Sequence, residues 1–153
     1  MTFSSTLLKA LDRRHPAPAA SAHCDGPCGV YDPASARIAG ESVLAMTKKL
    51  IDLGDGSDLA TENTRSRFIA IKEEQAELVE IELNILWNDY FKPPHLEAHP
   101  DLHTTFWNAA KQASACKTSV DMGAATELMS QIEAIHHMFW STKDRDVAWV
   151  TAS

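Results

Sequence analysis

From residue 32 onward the apolar residues return at intervals of three and four. Val43, Met46, Leu50 and Leu53 mark a first helix, with Asp32 as its N-cap and Pro33 in its first turn. "GDGSD" at 54–58 breaks it. A long second helix is predicted from about Asp58 to Phe91. Its stripe is Phe68, Ile71, Gln75, Leu78, Glu82 and Ile85, widened by Val79 and Leu86, and Lys92-Pro93-Pro94 ends it. Pro100 opens a third helix with Leu102, Phe106, Ala109, Ala113 and Cys116 on one face. After a turn near 117–121, Ala125, Leu128, Ile132, Ile135 and Phe139 define a fourth. No period-two alternation competes. Four amphipathic helices with short connections predict an all-α fold, an up-and-down four-helix bundle over residues 34–143. Residues 144–153 are expected to form a flexible C-terminal tail, although Trp149 could dock.

Composition narrows the function class. The chain has 153 residues, enough for one domain with a real core, and 44% are hydrophobic and 23% charged, as in ordinary globular proteins. No apolar run approaches the roughly 20 residues of a membrane helix. A net charge of −7, with no basic stripe, argues against general nucleic-acid binding.

The N-terminal part differs from the rest. Residues 1–22 are mildly basic and end in Pro, Ala and Ser. Ala20-Ser21-Ala22 resembles a signal-peptidase site, but Asp12, Arg13 and Arg14 interrupt any apolar region. The expectation is a leader removed by a dedicated processing protease, with the mature protein in the cytoplasm. Removal would leave 11 basic residues (14 less Lys9, Arg13 and Arg14) and 20 acidic ones (21 less Asp12), a net charge of −9. Residues 23–33, "HCDGPCGVYDP", then form an irregular hook, since two glycines and two prolines forbid regular structure. Three cysteines are too few for a disulfide scaffold, and Cys116 falls in a helical stripe. Cys24 and Cys28 remain candidates for a metal site or a thiol–disulfide pair. Cleavage before His23 would add a free amine and an imidazole to the Cys24 thiolate and amide and the Cys28 thiolate. Two nitrogens and two thiolates in a plane suit Ni(II).

The hook resembles the nickel-hook motif of the nickel superoxide dismutases. "ARI" (36–38), "IKEEQAEL" (71–78), "LWNDYFKPPH" (86–95), "HPDLH" (99–103) and "QIEAIHHMFWSTK" (131–143) are also similar to segments of that family, so the resemblance covers most of residues 23–143. It implies one nickel ion per subunit, held by the amine and axial imidazole of His23, the thiolate and amide of Cys24, and the thiolate of Cys28. It implies a cis bond at Gly26–Pro27, hook orientation by Asp25, and gating of anion access by Tyr31 and Tyr90. The implied reaction disproportionates superoxide to dioxygen and hydrogen peroxide by Ni(II)/Ni(III) cycling, in a homohexamer. Lys92 is a candidate for steering the anion.

Two positions depart from the family pattern. Many members carry a Glu and an Arg behind the axial imidazole, where this chain has Ala39 and Gln75. Gln75 could donate or accept a single hydrogen bond there. A non-catalytic metal-binding or Cys24/Cys28 thiol-switch module is the alternative reading. Glu133 and His136 match a ferritin-like spacing, but a di-iron bundle needs two such pairs. His95, His99 and His103 straddle Pro100 and suit surface or capping roles.

Overall fold

The computed structural model describes residues 29–152. His23, Cys24, Asp25, Gly26, Pro27 and Cys28, with the leader at 1–22, lie outside the described residues. The described chain is helical and contains no strand. Helix α1 spans Ala34–Leu53, α2 Leu59–Ile85, a short α3 Pro93–Ala98, α4 Leu102–Thr118 and α5 Met122–Ser141. A π-helical turn, Leu86–Tyr90, extends α2. The four long helices pack as a closed square: α1 against α2 and α5, and α4 against α2 and α5. The short links at 54–58 and 119–121 force antiparallel neighbours, as an up-and-down bundle requires.

The helix boundaries have local causes. Asp32 Oδ1 accepts from the Ala34 N–H at 2.8 Å, one residue ahead of the helical turn that Pro33 begins. Asp58 caps α2 by accepting from the N–H groups of Ala60 and Thr61, both at 3.1 Å. Asp121 caps α5 through the N–H groups of Gly123 and Ala124. Pro93 does more than end α2: it occupies the first turn of α3, where its missing N–H costs nothing. His95 Nδ1 reaches back to accept from the Lys92 N–H at 3.1 Å.

The α4 and α5 stripes bury as their spacing predicts, with Leu102, Ala109, Ala113, Leu128, Ile132, Ile135 and Phe139 all fully buried. On α1 the buried face holds Val43 and Leu50 together with Ala36, Ala39, Gly40 and Thr47, while Met46 and Leu53 are half-buried. On α2 the predicted stripe is displaced. Lys72, Ala76, Val79, Leu83 and Leu86 face the core, whereas Ile71 is exposed and Phe68, Gln75, Leu78, Glu82 and Ile85 are half-buried. The cause is Lys72. Its side chain crosses the interface, and its ammonium donates to the carbonyls of Cys116, Lys117 (3.0 Å) and Ser119 (2.8 Å). Those groups at the end of α4 have no partner within their own helix. Desolvation pushes the Lys72 pKa down from its ordinary 10.5.

The tail, expected from the sequence to be flexible, is placed against the bundle. The chain turns at Asp144, where φ is +53°, and folds back along the bundle. His136 Nε2 pairs with the Val147 carbonyl at 2.8 Å, and the Trp149 ring lies 5.3 Å from the His136 ring. Beyond it the Ala152 N–H donates to Glu41 Oε2 at 2.8 Å. Val147 and Trp149 cover apolar core surface, and that burial offsets the entropy of ordering the segment.

Candidate metal centre and its tyrosine pocket

Gly29 is the first described residue after the hook cysteines. Its φ of +64° is a left-handed conformation that favours glycine, and it lets the chain turn from the hook into the bundle. Two residues later Tyr31 packs on Tyr90, with ring centroids 5.5 Å apart and planes tilted by 52°. The two tyrosines singled out from the sequence, 59 positions apart, therefore share one pocket beside the hook's exit. Val30, Tyr31, Asp32, Ser35, Glu82, Ile85 and Leu86 enclose a small recess of about 160 Å³ there.

Tyr90 reaches this place because the end of α2 widens. The Phe91 N–H bonds to the Leu86 carbonyl at 3.1 Å, a five-residue step that makes the π turn. The extra residue in the turn reorients Trp87–Tyr90 relative to an unbroken α-helix. Phe91 then enters the core and closes the end of the bundle, 7% exposed. The aromatic residues of "YFKPPH" thus act as a cap.

Tyr90 is held on all sides. Its ring stacks on His95 at 5.5 Å with a 21° tilt, meets Phe139 at 4.5 Å and meets Phe91 edge-on at 5.1 Å. Its phenol oxygen lies 2.5 Å from Thr142 Oγ1. The Lys143 ammonium sits 5.1 Å from the Tyr90 centroid and 5.0 Å from that of Phe139. Phe139, Thr142 and Lys143 belong to the final turn of α5 and the residues just after it. Sequence reasoning did not assign them to the pocket. They fall within "QIEAIHHMFWSTK", but periodicity alone does not tell which turn closes over Tyr90.

Other candidates are placed apart or otherwise engaged. Lys92 is exposed, and its ammonium donates to the Asp89 carbonyl at 2.9 Å, so Lys143 is the cation directly over the tyrosine pocket. Ala39 is fully buried on α1 and Gln75 is half-buried on α2. Cys116 is 2% exposed, and burial pushes its thiol pKa up, which suits an inert core residue and removes it from the ligand set. His136 is buried against the tail and His137 is exposed. His99 Nε2 lies 2.8 Å from Ser141 Oγ, and the His103 ring packs on Trp87. Among the described residues no three His, Cys, Asp or Glu side chains are grouped to hold a metal. Were the chain cut before His23, one imidazole, one amine, one amide nitrogen and two thiolates would form a donor set that fits nickel.

Comparison with known proteins agrees with this arrangement. Residues 18–143 match the family model for nickel-containing superoxide dismutase. The chain is 47% identical over 123 residues to the superoxide dismutase [Ni] of Streptomyces seoulensis, covering 80% of this chain and 89% of that protein. It is 44% identical over 123 residues to the superoxide dismutase [Ni] of Streptomyces coelicolor, with the same coverage. A crystal structure of Ni-containing superoxide dismutase, with nickel ligation of the oxidised state, superposes with a TM-score of 0.72. That pair is 46% identical, covering 80% of this chain and all of the other. The chain belongs to the nickel-containing superoxide dismutase family.

Proposed function

We propose that this protein is a nickel-dependent superoxide dismutase whose active form begins at His23. The observation that carries the reading is the seating of Tyr31 on Tyr90, at the point where the hook enters a bundle of this family. His23, Cys24 and Cys28 are the residues that would hold the metal. Bound nickel would supply a one-electron Ni(II)/Ni(III) couple, by which two superoxide ions and two protons become dioxygen and hydrogen peroxide. The chain's own residues bind, orient and screen. Tyr31 and Tyr90 narrow the approach beside the hook, so that only a small anion enters. Asp25 and Pro27 shape the hook, and Lys143 and Lys92 supply positive charge that offsets the net −9 of the chain from His23 onward. Gln75 is the residue left to support the His23 imidazole.

The same reading divides the chain into a leader at 1–22, a hook at 23–33, a bundle at 34–143 and a C-terminal segment at 144–153. It includes a processing protease, a homohexamer that covers the exposed hook, and a cytoplasmic location. No described helix is long and apolar enough to cross a membrane. The test is direct: the intact mass of the chain co-expressed with its processing protease, then nickel loading, superoxide consumption and the Ni(III) electron paramagnetic resonance spectrum. A mature chain still beginning at Met1 would refute the enzyme, because His23 would then have no free amine. Nickel uptake without turnover would favour the metal-binding or thiol-switch module.

A further inference from the structure

The Tyr90 phenol meets a hydroxyl whose hydrogen is already committed. A threonine hydroxyl carries one hydrogen. Thr142 Oγ1 donates it to the Phe139 carbonyl at 2.7 Å, within its own helix end. The same oxygen lies 2.5 Å from the Tyr90 phenol oxygen. The hydrogen between the two hydroxyls therefore belongs to Tyr90. The ring cannot swing away to change this, because His95, Phe91, Phe139 and Tyr31 pack around it and the Lys143 ammonium lies over its face.

We propose that Thr142 is a positioning residue for the dismutase reaction: it accepts the Tyr90 hydrogen at the end of α5, so that the Tyr90 oxygen offers only acceptor lone pairs to the tyrosine pocket. This rests on the functional reading above. A phenol oxygen that only accepts disfavours an anion at its own position and favours water or the protonated product. Tyr90 then screens the approach, and superoxide is directed elsewhere in the pocket. A valine at 142 has nearly the same shape but no acceptor. In that variant the Tyr90 proton turns outward and the pocket gains a donor.

The experiment has two parts. The chain has two tyrosines, so Tyr31→Phe leaves Tyr90 alone to be read. In the full-length, metal-free Tyr31→Phe protein, the Raman Fermi doublet of tyrosine is expected to have the intensity ratio of a strongly donating phenol. Adding Thr142→Val should move it to that of a solvated phenol, and Thr142→Ser should leave it in place. In the processed, nickel-loaded protein with Tyr31 present, Thr142→Val should bind azide about fivefold more tightly, one hydrogen bond's worth, and Thr142→Ser as wild type. A doublet indifferent to Thr142→Val, or equally shifted by Thr142→Ser, overturns the assignment of the proton. A shifted doublet with unchanged azide affinity overturns its role in the pocket. Absent turnover in loaded wild type would strike the dismutase reading, while the metal-free doublet still decides the Thr142–Tyr90 bond.

Discussion

Lys72 on α2 closes the end of α4 from across the bundle, its ammonium donating to the Ser119 carbonyl at 2.8 Å. The same group serves the carbonyls of Cys116 and Lys117. Lys72→Met keeps most of the volume and leaves these carbonyls without a donor. The expected cost is about 3 kcal/mol, read as a lower urea midpoint with an unchanged slope.

The same lysine sets a pH dependence. Desolvation lowers its pKa in the folded state below the ordinary 10.5. The unfolded chain then binds the proton more readily than the folded chain in the interval below 10.5, so stability rises with pH there. Wild type should therefore gain on Lys72→Met as pH climbs toward 10.5. A stability difference that stays flat between neutral pH and that limit would show that the proton is held equally in both states.

Docking of the C-terminal segment gives a second stability test. A chain ending at Asp146 loses Val147 and Trp149 from the core edge and the Ala152 bond to Glu41. The expected loss is about 2 kcal/mol. Protection of the Ala152 amide against hydrogen exchange should fall in Glu41→Ala, and full protection in that variant would dismiss the bond.

Steering by charge separates two lysines. Lys143 lies over the tyrosine ring, and Lys92 is tied to the Asp89 carbonyl at the surface. Lys143→Gln should lower kcat/KM for superoxide about threefold at low ionic strength, and Lys92→Gln less, with both effects fading as salt shortens the screening length. Equal effects at every salt concentration would point to structure rather than to steering.

Metal removal should spare the fold. The buried cluster runs from Ala36 to Trp140 and draws on all four long helices. Chelation of the loaded enzyme is expected to abolish turnover while helical circular dichroism and the urea midpoint stay close to their starting values. Parallel loss of helicity would mean that the hook is part of the stability of the bundle.

Much of this was readable from residue types and spacing. The α4 and α5 faces follow from apolar residues at three and four, because large aliphatic side chains on one stripe have only one way to leave water. Asp58 and Asp121 announce helix starts because their short carboxylates reach free N–H groups. The chemistry of His23, Cys24 and Cys28 is local too: donors that lie within six residues need no tertiary fold to be recognised as a set.

What only the folded chain decided concerns groups whose partners are far away in sequence. Lys72 reads as a surface lysine until the end of α4, 44 residues on, supplies carbonyls for it. Tyr31 and Tyr90 are paired in the sequence only by resemblance; the π turn that brings their rings together, and the contact of the Tyr90 hydroxyl with Thr142, belong to the fold. The tail reads as polar and loose until His136 and Glu41 bind its backbone. Sequence alone marked the four long helices and the residues expected to hold nickel, since propensity, capping and ligand chemistry act over a few residues. Tertiary structure decided which side chains face one another, since hydrogen bonds and burial across the bundle outweigh local preference.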